Sequence, residues 1–346
     1  MQIGVRLGIE KISEGFIRLN NEFHFLLKDL FLSDAFDGVS FEGTTGYGDA
    51  VNIKAYSFRR TLQGGDFLRV NGSTNIKFDR CDCKSQNATM TNNAIPTFTT
   101  GLKVEAIDTI YCSNSHLNHC FNSVHIVASG SVQISDLYFT NFYADRAYNR
   151  SLLIEGSTTG LFRGIKFTNA LFRAANNFTS AQTPSGGTDG VGIEVTATMA
   201  SLTFVNSEVK QHAKSGAIFG ANLQDLKITT SDFTANNQIS NATSQDLLVS
   251  CDGFKVLDNT FTSDITRGIV IDSTNDRGLL RGNDFSNGYS RSIINTSVGY
   301  VANSDDNWTL NGIQAGYSNN TVMSKTDGLA PAATAVMYSK EVTNNS

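Results

Sequence analysis

One pattern of apolar and polar positions returns nine times along the chain. Each copy has three apolar residues. The second, which we call the anchor, lies two positions after the first, and the third lies five positions after the anchor. The first residue is apolar in every copy except the last, where it is Gly278. A repeat that recurs every 22 to 37 residues, with insertions of variable length, is typical of a solenoid. The predicted anchors are Ile53, Phe78, Cys112, Ile134, Phe167, Phe204, Ile228, Val256 and Leu280.

The spacing inside each copy predicts strands joined by a bend. Residues at i and i+2 share one face of a strand, and the third apolar residue faces the same interior only where the backbone turns. The position two residues after the anchor is Asn, Asp or Gly in six copies, and these residues tolerate positive φ best. The predicted bend residues are Ala55, Arg80, Asn114, Asp136, Asn169, Asn206, Thr230, Asp258 and Gly282. We therefore predict an all-β fold, a parallel β-helix of about nine to eleven coils.

The first 33 residues follow a different spacing. Apolar residues from Val5 to Leu30 step by 4 and 3 positions, which predicts an α-helix in residues 1–33. This helix would form a parallel coiled coil that joins protomers into a homotrimer, or it would cover the open end of the solenoid. We assign residues 34–308 to the β-helix and residues 309–346 to a C-terminal cap or an oligomer-contact tail.

Composition narrows the functional classes. The net charge of −5 and the absence of a basic run with interleaved aromatics argue against nucleic-acid binding. No apolar run is long enough for a membrane span, and charges near the start interrupt a signal peptide. Cys83 and Cys112 fall at interior positions. The alternative is a zinc site formed by Cys81 and Cys83 with Cys112, His116, His119 and Cys120 of the next coil, but this spacing matches no standard site. We predict no metal and no cofactor.

The longer repeats carry their extra residues after the third apolar position, in segments 84–100, 140–150, 173–190 and 234–245. Loops that leave a rigid scaffold along one edge build a groove. Aromatic side chains of segment 140–150 would stack on sugars, and its arginines would pair with acidic sugars. The predicted substrate-binding residues are Tyr143, Asp145, Arg146, Tyr148, Arg150 and, from the next segment, Asp189.

Three glutamates follow the inward residues of the strands after these loops. We predict that Glu105, Glu155 and Glu194 point outward and that Glu155 and Glu194 lie side by side on adjacent coils, about 5 Å apart. When two carboxylates lie so close together, the repulsion between their charges raises the pKa of one of them. The pair then provides an acid beside a base for glycoside cleavage. Glu105 would supply a wider pair. The alternative is that all three are solvated surface residues.

The repeat, with its Asn/Asp/Gly bend and inward Phe and Ile, resembles the pectin-lyase-like right-handed parallel β-helix over about residues 39–308. Within that superfold, the heptad before the coils and the small C-terminal region look most like bacteriophage tailspike or tail-fibre proteins. The resemblance implies a trimeric virion protein whose flank binds a host surface polysaccharide, and whose N-terminal helix contacts other virion proteins. The calcium-binding Asp set of pectate lyases and the Gly-His-Gly of polygalacturonases are not present.

Three functions remain open at this point. The chain is expected to be a tailspike-like receptor-binding protein on the virion, with or without polysaccharide cleavage. The alternatives are a stand-alone polysaccharide hydrolase or lyase and a non-catalytic structural virion protein, such as a capsid decoration or a tail adaptor. An acidic, aromatic-lined groove would favour the receptor-binding protein over the structural component.

Overall fold

A computed structural model describes most of the chain between Gly8 and Thr309. The described residues are 8–9, 17–33, 38–57, 64–85, 98–128, 133–156, 161–175, 190–238, 243–263, 267–272, 277–285, 291–295, 300–303 and 308–309. The predicted C-terminal cap, apart from Thr309 itself, lies outside them.

The described chain is all-β, and every pairing between its strands is parallel. The strands wind nearly closed around one axis, as the repeat predicted for a parallel β-helix. A typical coil contains three short strands, for example Leu202–Val205, Glu208–Lys210 and Ala217–Phe219. Each strand pairs with the strand at the same place in the next coil, so strands of one kind form a column along the axis.

We name the three columns by their order within a coil. Strands of the first column are Leu26–Ser33, Gly46–Ser57, Gly64–Asp79, Ile110–Ser113, Leu137–Thr140, Ile165–Thr168, Leu202–Val205, Leu226–Thr229, Phe254–Leu257, Arg277–Arg281 and Tyr300–Asn303; the three longest continue from or into a neighbouring column. Strands of the second column are Asp82–Ser85, His116–Asn118, Tyr143–Asp145, Leu171–Arg173, Glu208–Lys210, Asp232–Thr234, Thr260–Phe261, Asp284–Phe285 and Trp308–Thr309, and Gly8–Ile9 pairs with the end of Leu26–Ser33. Strands of the third column are Ile17–Asn20, Val39–Glu42, Phe98–Ile107, Asn122–Ala128, Gln133–Ser135, Arg150–Gly156, Leu161–Arg163, Ile193–Val195, Ala217–Phe219, Leu247–Val249, Arg267–Ile271 and Arg291–Asn295.

The interior is a stack of apolar side chains, one layer for each coil. Phe167 lies between Phe139 and Phe204, with ring centroids 4.5 and 5.2 Å away and nearly parallel rings. All three rings are buried. Seven predicted anchors occupy this one column and are confirmed, namely Phe78, Cys112, Phe167, Phe204, Ile228, Val256 and Leu280. The five cysteines are free and buried, so Cys83 and Cys112 are core residues as expected.

Two predicted anchors are wrong. Ala50, not Ile53, lies opposite Phe78, and Phe139, not Ile134, lies opposite Cys112 and Phe167. Small residues hid the first of these coils, because its interior positions are Gly48, Ala50 and Ala55 rather than large apolar side chains. The fourth predicted copy matched the pattern by coincidence, because Ile134 belongs to the third column.

The bend after the first column is the most regular feature of the backbone. Its residue has positive φ in ten successive coils, and each of these residues follows a first-column strand or lies within a longer one. They are Asp29, Asn52, Arg80, Asn114, Asn141, Asn169, Asn206, Thr230, Asp258 and Gly282. Seven of the predicted bends are confirmed, while Asn52 and Asn141 replace Ala55 and Asp136. Asp136 does have positive φ, but at another corner, where it stands beside Gly164.

The predicted N-terminal helix is wrong where the structure describes it. Residues Ile17–Asn20 and Leu26–Ser33 form strands that pair with the next coil, and residues 1–7 and 10–16 lie outside the described ranges. Leu27, Leu30 and Leu32 are buried in the solenoid. The predicted spacing ran through Phe23 and Leu26, but Phe23 is 50% exposed and Leu26 is only half-buried, so the steps of 4 and 3 do not follow the buried positions.

Candidate functional site

The three predicted glutamates lie on third-column strands but not in the expected arrangement. Glu155 lies opposite Val127, whereas Glu194 lies opposite Leu153, so the two glutamates are offset by two positions. The expectation that they lie side by side is therefore wrong. Their catalytic role stays a prediction.

Each of these glutamates has its own cationic or imidazole partner. Glu194 Oε2 accepts a hydrogen bond of 2.5 Å from Nε of the buried Arg150, and Glu155 Oε1 lies 2.9 Å from His125 Nε2. Glu105 Oε2 accepts a hydrogen bond of 2.6 Å from Arg69 Nε. Each carboxylate thus contacts a partner of its own rather than another of these glutamates.

Glu105 belongs to a cluster that the sequence did not reveal. Lys103 Nζ lies 3.2 Å from Glu105 Oε1 and 3.9 Å from Asp66 Oδ2, so one ammonium group bridges two carboxylates. Burial raises the pKa of Asp66, and the nearby charges of Lys103 and Arg69 offset this only in part. Burial would also raise the pKa of Glu105, but the hydrogen bond from Arg69 and the charge of Lys103 outweigh it and lower that pKa.

A groove of about 480 Å³ opens beside this cluster. It is lined by polar side chains, including Arg18, Ser40, Glu42, Asp66 and Arg69. Two carboxyls whose environments move their pKa values apart form the usual arrangement of a general acid and a base. The arrangement is chemically able to protonate a leaving group from Asp66 and to accept a proton or stabilise a cation at Glu105.

Segment 140–150 is a regular part of a coil rather than a long loop, because Asn141 makes the bend and Tyr143–Asp145 is a second-column strand. The other three predicted insertions do join second-column strands to third-column strands, although most of their residues lie outside the described ranges, Asp189 among them. They therefore enter at one edge of the solenoid, as predicted.

The predicted substrate-binding residues of this segment divide into two groups. Tyr143 is 46% exposed and Arg146 is also exposed. Tyr148, Asp145 and Arg150 are only 4%, 5% and 5% exposed, respectively. Burial raises the pKa of Tyr148 to about 12. Tyr143 and Arg146 are therefore the members of this segment that a ligand can reach directly.

Asp145 is part of an ion-pair network along the second column. Its two carboxylate oxygens accept hydrogen bonds of 2.8 and 2.6 Å from Nε and Nη2 of Arg173, and its Oδ2 lies 3.9 Å from His116 Nε2. Burial alone would raise the pKa of Asp145, but His116 and Arg173 lower it to about 2. Asp145 thus contacts both neighbouring coils of the stack, and its role in binding a substrate stays a prediction.

An exposed aromatic and amide surface spans two coils around the bend. Tyr111 and Tyr138 lie opposite each other on first-column strands, with ring centroids 5.3 Å apart and an angle of 14° between the rings. Tyr111 is 51% exposed. Around the bend, Tyr143 lies edge-on to His116, with ring centroids 6.0 Å apart.

Asparagine side chains line the bend between these aromatic pairs. Asn141 donates a hydrogen bond of 3.1 Å to Asn114, and Asn169 donates one of 3.2 Å to Asn141. We name the surface formed by Tyr111, Tyr138, Tyr143, His116, Asn114 and Asn141 the tyrosine platform. Flat aromatic faces beside amide donors and acceptors can stack on sugar rings and bond their hydroxyl groups. Sequence reasoning missed the pairing of Tyr111 with Tyr138 because the fourth copy of the repeat was misaligned. In the misaligned copy, the two tyrosines did not fall at the same position of successive coils.

In the ranges that the structure describes, no three His, Cys, Asp or Glu side chains come together as a possible metal site. Within the same ranges, no helix is long and apolar enough to cross a membrane. No protein-family model, no curated protein and no solved structure matches this chain.

Proposed function

We propose that this chain is a tailspike-like receptor-binding protein of a virion, and that it recognises a host surface polysaccharide through the tyrosine platform. The observation that supports this most strongly is the stacking of Tyr111, which is 51% exposed, on the half-buried Tyr138 of the adjacent parallel strand. Contiguous aromatic surface is a common mark of a binding site, and a preorganised surface of this kind binds with a small loss of conformational entropy.

The hand of the coil, the trimer and the virion assignment each depend on a different observation. The strong preference of parallel crossover connections for the right hand supports a right-handed coil, whereas the pectin-lyase-like character depends on the resemblance of the repeat. Trimer formation and contacts with other virion proteins lose the support of a helical seam, because Ile17–Asn20 and Leu26–Ser33 are strands. The virion assignment depends on the resemblance of the repeat.

Removing the aromatic pair should weaken glycan recognition. We expect Tyr111→Ala with Tyr138→Ala to weaken binding at least about tenfold, because each buried aromatic contact in an interface commonly contributes more than about 1 kcal/mol. The measurement is biolayer interferometry against a panel of purified bacterial O-chain and capsular polysaccharides. Tyr47→Ala is the matched control, because Tyr47 is an exposed tyrosine at a different corner.

Equal binding by the wild type and the double variant would exclude the platform as the recognition surface. Absence of any binding by the wild type across the panel would favour the structural virion protein instead.

Polysaccharide cleavage is a second candidate, favoured by the Asp66 and Glu105 cluster beside its groove. We expect wild type to release oligosaccharides from a bound polysaccharide, and Asp66→Asn and Glu105→Gln each to slow release by about 10²- to 10⁴-fold, the usual contribution of a positioned acid or base. Chromatography of the reducing ends is the measurement. Glu155→Gln and Glu194→Gln serve as comparisons that test the earlier predicted pair. Release that depends on neither pair would remove both assignments.

A further inference from the structure

A row of exposed lysines runs along the first column on the same face as the two tyrosines. Strand register places the side chains of this row on successive coils, in the order Lys77, Tyr111, Tyr138, Lys166, Thr203, Lys227 and Lys255. We name Lys77, Lys166, Lys227 and Lys255 the lysine stripe. Coils about 4.8 Å apart make this a straight line of positive charge parallel to the axis.

The lysine stripe has a carboxylate at one end, because Asp49 lies opposite Lys77 on the preceding coil. None of its four side chains forms an ion pair within the part of the chain that the structure describes, although the protein as a whole carries a net charge of −5. Elsewhere in the described ranges, Arg69, Lys103, Arg150 and Arg173 each contact a carboxylate. Lys227 and Lys255 lie directly opposite each other, an arrangement that destabilises a sheet.

A groove of about 550 Å³ lies at one end of the stripe. Lys255 and Arg277 line it together with Gln224 and Asp225. The groove thus places Lys255 near Asp225 and near Arg277, whose Nη2 donates a hydrogen bond of 2.9 Å to Asp252 Oδ2, and it adds groups that can bond hydroxyls. At its other end the stripe encloses the stacked tyrosines, because Lys77 lies opposite Tyr111 and Lys166 lies opposite Tyr138.

We infer that the polysaccharide is acidic and that it lies along the first column, with its carboxylates on the lysine stripe and its rings on Tyr111 and Tyr138. This inference deepens the proposed function and depends on it. A linear polyanion complements a row of lysines that form no ion pair within the described ranges, and sugar rings account for the aromatic pair within that row. A duplex nucleic acid complements the surface less well, because the cations form a single line on a protein of net negative charge.

The test uses alginate, hyaluronan and polysialic acid, each beside its carboxyl-reduced form, which keeps the backbone and loses the charge. Binding to wild type is measured by biolayer interferometry at low and high salt. The variants are Lys227→Gln with Lys255→Gln, the same change at all four stripe lysines, and a control with Lys28→Gln and Lys54→Gln. Lys28 and Lys54 are exposed lysines outside the stripe. Double-stranded DNA of matched charge is the competing probe.

We expect at least one acidic polymer to bind, its reduced form to bind at least about tenfold more weakly, and the fourfold stripe variant to lose a similar factor. The control should bind as wild type does. High salt should reduce binding, because exposed charges are screened over about 3 Å at 1 M salt.

Three results would overturn the inference. Equal binding of charged and reduced polymers, still lost in the Tyr111→Ala, Tyr138→Ala variant, would remove the acidic ligand and leave the proposed function standing. Binding of no polysaccharide in either form, by a folded wild type, would remove both. Tighter binding of DNA than of any glycan, dependent on the stripe, would assign the lysines to nucleic acid.

Discussion

Phe167→Ala is expected to reduce the free energy of unfolding by about 3–5 kcal/mol, the range for removing a fully buried phenylalanine ring. Phe167 has no exposed surface and contacts a phenylalanine ring on both sides, Phe139 and Phe204. Its loss leaves a cavity between coils that the neighbouring strands, held by backbone hydrogen bonds, cannot close. Urea unfolding followed by circular dichroism measures the change.

Lys166→Ala is the matched control for this experiment. Lys166 precedes Phe167 on the same strand but is exposed, so its removal should change stability by less than about 0.5 kcal/mol. A loss for Phe167→Ala no larger than that of the control would contradict the stacked interior.

Arg173→Met is expected to destabilise the fold by about 2 kcal/mol at pH 7, because it leaves the buried carboxylate of Asp145 without its bidentate partner. The pKa of Asp145 is lowered from 3.8 to about 2 in the folded chain, where His116 and Arg173 outweigh burial. A lowered folded pKa contributes stability above about pH 3.8, and this contribution is lost as the pH falls towards 2. The difference between wild type and variant should therefore shrink across that window.

Stability measured from pH 7 to pH 2 tests this. Lys210→Met is the control, because Lys210 pairs with the more exposed Glu208 and such pairs contribute at most about 1 kcal/mol. An Arg173→Met variant that is as stable as wild type at pH 7, or a difference that grows in acid, would contradict the assigned role of Asp145.

Much of the fold was predictable because the solenoid repeats a local rule. The rule is an alternating apolar strand followed by a bend, usually at Asn, Asp or Gly. It correctly predicted seven of the nine anchors and the parallel stacking of the coils. The rule fails where the interior is small, because Ala50 gives no apolar signal. Arg80 and Thr230 were located by their position after the anchor, although neither residue type is favoured at positive φ. At the N-terminus, apolar residues in and between two strands fell at helical spacing by coincidence.

The candidate site was less predictable because it depends on the register between strands. One shifted copy put Tyr138 outside the pattern and made Tyr143–Asp145 look like a loop. A two-position offset separated Glu155 from Glu194, although both follow inward residues. Asp66 carries no local signal, since its place beside Lys103 and Glu105 depends on the pairing of two strands far apart in sequence.

The tyrosine platform exists only if Tyr111 and Tyr138 lie directly opposite each other on adjacent parallel coils. Replacing both by cysteine places their Cα atoms about 4.8 Å apart, within the range for a disulfide, whereas Tyr111→Cys with Thr140→Cys leaves a diagonal pair roughly 7–8 Å apart, beyond it. Mild oxidation followed by peptide mass spectrometry should detect a crosslink between residues 111 and 138 in the first variant and none between residues 111 and 140 in the second. A crosslink in the diagonal variant alone, or equal crosslinking in both, would contradict the register and with it the tyrosine platform.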